Sequence, residues 1–276
     1  QPIAPKRGLI FDRNGILLAE NQPSYSLVVI KERVDNLPDT LVDLQQLFDL
    51  DSKDIEKFQL RLKRRKPYQA VPLKFRLTED EISRFAVNRY RLPGVEIKAL
   101  LVRHYPEGSA FTHVLGYVGR INSKDQLQLE STVSDRARYA ATDHIGKIGL
   151  ERYFEPQLHG EVGSQHVETN AHGRILRVLQ KQNPEPGVDL TLYIDAALQK
   201  KVASVMQGRR GSVVVMDPKS GGILAMVSAP SYDANPFVTG ISTTDYNRLR
   251  ESITLPLFNR SLQGQHPPGS TIKPIM

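Results

Sequence analysis

The sequence predicts an α+β protein in two parts. Residues 1–186 read as elongated β-ribbons with an inserted helical head, and residues 187–276 as the start of a second part. Three observations carry this prediction. Short apolar runs flank glycine-containing turns at 5–30 and 161–180. Residues 38–92 carry helical periodicity and a capping box. The stretch Asn183-Pro184-Glu185-Pro186-Gly187 breaks the chain, and the pattern changes after it.

The elements follow in order. Gly8–Phe11 and Ile16–Ala19 are apolar around Asp12-Arg13-Asn14-Gly15. Asn-Gly favours the positive backbone angles of a tight hairpin. Tyr25–Ile30 reads as a third strand. Asp39-Thr40 is placed to cap a helix reaching about Phe48. A second helix runs from about Ser52 to Arg65, with Ile55, Phe58 and Leu62 on one face. A third opens with Thr78-x-x-Glu81 and turns Ile82, Phe85 and Ala86 inward before Pro93-Gly94. Residues 95–120 return to strand and turn, and 121–145 to helix and loop. After the break, Leu190–Ile194 reads as strand, Ala196–Gln207 as helix, and Gly211–Met216 with Ile223–Ser228 as a hairpin.

Composition narrows the function classes. Hydrophobic residues at 39% and charged residues at 24% suit a folded domain and exclude a disordered tail. There is no cysteine, which removes disulfides, thiolate nucleophiles and Cys-type metal sites. His159, His166 and His172 cluster in the chain without a known ligand spacing, so no metal or cofactor is expected. No apolar run approaches the roughly 18 residues of a membrane span. The net charge of +7 is modest, and with no Trp a nucleic-acid partner is not expected. Gln1 at the start and a motif running out at Met276 point to a piece of a longer polypeptide.

The sharpest chemical feature is Pro267-Pro268-Gly269-Ser270-Thr271-Ile272-Lys273-Pro274. Pro274 fits a helix only in its first turn, so a helix is predicted to start near Ser270. Ser270 and Lys273 then share one face, one turn apart. A neutral lysine amine there can take the serine proton, and the helix N-terminus favours a developing oxyanion. A bare S-x-x-K occurs by chance about once in a chain this rich in serine, so the flanking prolines carry the specificity.

Three other sets invite a plainer reading. Lys219-Ser220-Gly221 matches K-[ST]-G but follows Asp217-Pro218 between two strands, where a hairpin turn explains it. The run Arg61-Leu62-Lys63-Arg64-Arg65-Lys66 ends a helix, where cations complement the dipole; contact with lipid headgroups or an acidic partner is its other reading. Arg7, Asp12, Arg13 and Glu151 flank glycine-rich turns and suggest an ion-paired clasp, in preference to a paired-carboxylate site.

Together these residues resemble the class B penicillin-binding proteins. Arg7 to Gly15 is similar to the family's opening motif, Arg103 to Gly108 to its second, and Gly146 to Glu151 to its third. Gly211 to Pro230 resembles the first transpeptidase hairpin, and Asn259 to Pro274 the segment entering the nucleophile. Tyr139-Ala140-Ala141-Thr142 and Phe85 to Arg91 resemble the elongation-specific branch of Gram-negative bacteria.

The resemblance implies a pedestal followed by the incomplete start of a penicillin-binding transpeptidase domain. It implies Ser270 as nucleophile, Lys273 as its proton acceptor, and no cofactor. Its implied ligands are peptidoglycan stem peptides and β-lactam antibiotics. Its implied partners are a membrane glycan polymerase and a rod-shape scaffold protein. It also implies a periplasmic position, with an inner-membrane anchor lying outside these residues. His266 departs from the aromatic residue common in the family. No S-x-N triad lies in the 276 residues, and no K-[ST]-G follows Lys273, so this stretch alone is expected to be inactive. A partner-binding scaffold without its own catalysis is the competing reading. A serine β-lactamase is disfavoured, because it needs no pedestal.

Overall fold

The computed structural model describes every residue except 1, 64–66, 131–136, 140, 170–174, 266, 268–272 and 274–276. The fold is α+β. Its contacts divide the chain into two compact units, one holding residues 22–102 and 165–181, the other 2–21, 103–164 and 182–276. This division follows contacts and not chain order, so it does not coincide with the 186/187 boundary drawn from the sequence.

In chain order the first elements are β1 (Pro2–Ile3), β2 (Ile10–Phe11), β3 (Leu17–Ile30), α1 (Leu37–Phe48) and α2 (Ser52–Lys63). Then come β4 (Ala70–Lys74), α3 (Glu79–Asn88) and β5 (Val95–His104). The two strands expected at 16–19 and 25–30 are one strand, β3. Pro23 holds φ near an extended value and removes a hydrogen-bond donor without ending the extended backbone.

In the first unit, β3 pairs antiparallel with β4, Val29 opposite Val71, and β5 also pairs with β3. Leu27 and Val29 of the sheet meet Leu44 and Phe48 of α1, Phe58 of α2 and Phe85 of α3 in one core. Strand β4 was not anticipated inside the helical block. The cap of α1 is Asn36 and not Asp39-Thr40: its side chain accepts from the Asp39 backbone, and Pro38 sits in the first turn. The capping box of α3 is complete, with Thr78 and Glu81 each accepting the other's backbone N–H. Ile82 and Phe85 pack inward as expected, but Ala86 faces solvent. In the basic run, Arg61 donates to the Pro72 carbonyl at 2.9 Å and lies over the Phe75 ring, whereas Arg64, Arg65 and Lys66 are outside the described residues.

The second unit continues with α4 (Thr112–Leu115), β6 (Tyr117–Arg120), α5 (Ser123–Glu130), β7 (His144–Ile148), α6 (Gly149–Tyr153) and α7 (Glu155–Leu158). It also carries the start of β8 (Gly163–Thr169), the end of β9 (Ile175–Gln182), β10 (Leu190–Thr191) and α8 (Ala196–Val205). The remainder is β11 (Gly211–Met216), β12 (Ile223–Ala229), α9 (Asn235–Thr239), α10 (Thr243–Arg250) and α11 (Arg260–Gln263). The ribbon expected at 161–180 is β8 and β9, with β1 pairing to β8.

The first turn is wider than a two-residue hairpin. Asp12 N–H donates to the Ile16 carbonyl at 2.8 Å, which leaves Arg13, Asn14 and Gly15 in the loop and Gly15 at φ +82°. That is the three-residue turn with a left-handed last residue. Strand β10 adds in parallel beside β2, Leu190 opposite Ile10. Strands β6 and β7 pair antiparallel, Val118 opposite Gly146.

Two glycines let β7 pass α4. Gly116 has φ +73°, and a Cβ there would stand 1.9 Å from the Ile148 carbonyl oxygen. Gly149, at φ +63°, faces it across the same contact. Gly116→Ala is therefore expected to destabilise the unit by at least about 1–3 kcal/mol, the cost of the backbone strain alone. A urea midpoint lowered by at least about 0.5–1.5 M, at m near 2 kcal/mol/M, checks it; an unchanged midpoint contradicts it.

Candidate functional site

Two polar assemblies in the second unit bring the motif residues together. The first is built around Glu151, fully buried at the start of α6. Arg7 reaches it from before β2, its Nε donating to Oε2 at 2.8 Å. Arg103, near the end of β5, donates to Oε1 at 2.7 Å, and the Tyr105 hydroxyl donates to the same oxygen at 3.2 Å. Arg7 also reaches Glu155 Oε2 at 2.5 Å, and Glu155 accepts from the Tyr139 hydroxyl and the Gly146 N–H. Arg103 extends the assembly to the Gly8 carbonyl at 2.7 Å.

The electrostatics are balanced, two guanidiniums against two carboxylates. Burial opposes the Glu151 charge, but Arg7 and Arg103 outweigh it and hold the carboxyl below its ordinary 4.5. Burial and the Glu151 charge push the Tyr105 phenol well above its ordinary value, so it stays a donor. Glu151 is fully occupied and shielded from solvent, which suits a strut and not a proton-transfer group.

The expected clasp is therefore half right. Arg7 and Glu151 meet as predicted. Asp12 does not join them: its buried carboxylate accepts the Asn14 and Ile16 N–H groups and, at 3.0 Å, the Ala196 N–H at the start of α8. Burial raises its pKa, but those N–H groups outweigh this and hold it low. The Arg13 side chain is exposed, and its backbone N–H donates to the Ile194 carbonyl. Arg103, Tyr105, Tyr139 and Glu155 were missed as members, although the first three stood inside motif stretches. Of the clustered histidines, His159 is buried between the Thr142 hydroxyl and the Gly160 carbonyl, and His172 is outside the described residues.

The second assembly precedes Ser270 in the chain. Strands β11 and β12 form a hairpin, Gly211 opposite Ala229. Its turn contains Lys219-Ser220-Gly221: Ser220 Oγ donates to Asp217 Oδ2 at 2.6 Å, and Gly221 has φ +72°. This triad is turn chemistry, as the sequence predicted. Gln199 of α8, fully buried, pins β12 by accepting the Met226 N–H and donating to the Met226 and Ala110 carbonyls. Ser228 and Val227 of β12 then bond the segment at 258–261, which begins α11. Ser270 and His266 lie outside the described residues. Lys273 is an exposed turn residue. The predicted helix start at Ser270 falls on the same undescribed stretch.

Three motif stretches meeting on one buried glutamate, followed by this hairpin and the S-x-x-K segment, agree with the comparisons. The profile of the penicillin-binding protein dimerisation domain matches residues 2–192. The chain belongs to the class B penicillin-binding protein family. The profile of the penicillin-binding protein transpeptidase domain matches residues 211–276 of this family member. It is 48% identical to the peptidoglycan D,D-transpeptidase MrdA of Escherichia coli K12 over 275 residues, spanning 43% of that protein's length. The complex of Helicobacter pylori penicillin-binding protein PBP2 with MreC contains a chain that superposes with a TM-score of 0.82 at 28% identity, over 99% of this chain and 51% of that one. Pseudomonas aeruginosa PBP2 in complex with WCK 5153 gives 0.63 at 35% identity, over 99% and 40%. The expected α+β fold and family membership are thus borne out. Among the described residues, no helix is long and apolar enough to cross a membrane.

Proposed function

We propose that this chain is the pedestal, residues 1–186, and the opening of the transpeptidase domain, residues 187–276, of a peptidoglycan D,D-transpeptidase acting in cell-wall elongation. The observation that carries the reading is Ser270-x-x-Lys273 between prolines, in a chain whose last 66 residues match the transpeptidase profile. Ser270 Oγ attacks the carbonyl of the penultimate D-Ala of a stem peptide, and the Lys273 amine takes its proton. The tetrahedral oxyanion collapses, the C–N bond breaks, and the terminal D-Ala leaves with a proton on its amine. An amine of a neighbouring stem then attacks the acyl-enzyme ester and releases Ser270. A β-lactam acylates the same oxygen and stays.

The parent polypeptide acts at the outer face of the inner membrane, held by an anchor outside these residues. The 48% identity to a named D,D-transpeptidase supports the reaction. The H. pylori relative's complex with MreC supports a rod-shape scaffold partner, and with it the second reading, in which partner docking is the role of the pedestal. A membrane glycan polymerase completes the proposed partners.

The test is D-Ala release from a pentapeptide substrate by the parent polypeptide. Wild type is expected to release D-Ala, and Ser270→Ala to fall to background. Equal release by both would end the serine mechanism. The 276-residue chain alone is expected to release none.

A further inference from the structure

We propose that the cavity at the base of the β11–β12 hairpin binds a small organic anion, a carboxylate or phosphate carried on a short apolar body. The cavity holds about 440 Å³, within the usual size of a small-molecule site. Its walls come from α4 and the turn before it, from the end of α8, and from β12. All of these belong to the second unit, and none of the argument depends on Ser270.

Much of the lining is apolar. Met206, Met226, Val227 and Pro230 contribute to it, and methionine side chains adapt readily to a ligand. One buried polar group breaks this surface. His113 of α4 lines the cavity and is 8% exposed, yet its Nε2 makes no hydrogen bond among the described residues. Burial lowers its pKa, against a smaller pull upward from the Pro230 and Pro256 carbonyls, so the ring is neutral at pH 7. A neutral imidazole carries one N–H, and with that proton on Nε2 it offers a donor that the fold leaves unused. A buried polar atom without a partner is rare in a native protein, and a ligand oxygen would supply the partner.

The charge around the cavity has one sign. Arg209 and Arg210 are exposed members of its lining. Arg260 lies behind the loop that brings Thr254 to the cavity. Its guanidinium donates to the Thr254, Leu255 and Phe258 carbonyls. Burial and then the Arg210 charge hold the Arg260 pKa down, so the two guanidiniums feel each other. Three cations therefore lie on or beside this cavity, and among the described residues none of them is bonded to a carboxylate. The clasp around Glu151 is the contrast, with two carboxylates for its two guanidiniums. Guanidinium forks suit the oxygens of a carboxylate or phosphate, and the apolar walls suit a hydrocarbon body. A neutral molecule would leave the charge unmet, and an inorganic ion would leave the walls unfilled.

The experiment is calorimetric titration of the intact parent polypeptide with hexanoate and with hexyl phosphate. At least one is expected to bind, and the tighter of the two assigns the head group. Hexanamide and inorganic phosphate, which each lack one half of the ligand, are expected to bind about tenfold more weakly or less. Arg210→Ala and His113→Phe are each expected to weaken binding about tenfold, the loss of one charge-assisted hydrogen bond. Lys219→Ala removes an exposed cation at the far end of the same hairpin and is expected to change nothing. No binding of either anion would overturn the proposal, as it would if a side chain from outside these residues filled the cavity. Hexanamide binding as tightly as the anions, or Lys219→Ala losing as much as Arg210→Ala, would overturn it too. If His113→Phe does not fold, Arg209→Ala beside Arg210→Ala decides, and wild-type affinity in both contradicts the site.

Discussion

Glu151→Ala is expected to destabilise the second unit by about 3–5 kcal/mol, because it leaves two buried guanidiniums without their shared carboxylate. Arg7 and Arg103 meet on Glu151 from segments 144 and 48 residues away in the chain. Tyr105 donates to the same carboxylate and also accepts the Val118 N–H at 2.9 Å, so the loss spreads into β6. A urea midpoint lowered by about 2 M, at m near 2 kcal/mol/M, is the expected result. The pH dependence supplies an independent check. The folded-state pKa of Glu151 is depressed below 4.5. Its stabilisation is therefore complete above the unfolded value and is lost as pH falls through the folded one. Wild type and Glu151→Ala are expected to differ most near pH 7 and to converge in acid. A constant difference down to pH 2 would contradict the strut.

Lys273→Ala in the parent polypeptide is expected to lower the acylation rate by about 10²–10⁴, the range for removing a positioned general base. Pre-covalent binding of penicillin is expected to hold, since the role proposed for the amine is to take the serine proton. Lys273→Arg is expected to fare no better, because a guanidinium stays protonated and cannot accept that proton. A lysine variant that acylates at the wild-type rate would assign the base to another group.

Local chemistry was legible in the sequence, and long-range pairing was not. The Thr78–Glu81 capping box and the Asp217–Gly222 turn are each closed by residues a few positions apart, and both formed as read. The cap of α1 slipped to Asn36 because Pro38, which marks a first helical turn, was passed over for the polar pair after it. Strand β4 was invisible because Pro72 and its basic surroundings resemble a helix end; only its ladder with β3 makes it a strand. At the clasp, Arg7 and Glu151 were found from their glycine-rich context. Arg103 was quoted in a motif, yet its partner cannot be inferred from a strand that reads as ordinary. Asp12 shows the reverse error, a carboxylate beside a turn that serves backbone N–H groups and the Asn14 amide and, among the described residues, no cation. For Ser270 and Lys273 the signal was the prolines around the motif together with the family resemblance of the stretches before it.

The central claim is that Ser270 is the nucleophile of a penicillin-binding transpeptidase. Its most direct test is the intact mass of the parent polypeptide after exposure to benzylpenicillin, wild type beside Ser270→Ala. The account predicts one stable penicilloyl adduct on the wild type and none on the variant. No adduct on the wild type, or the same adduct on both proteins, would contradict it.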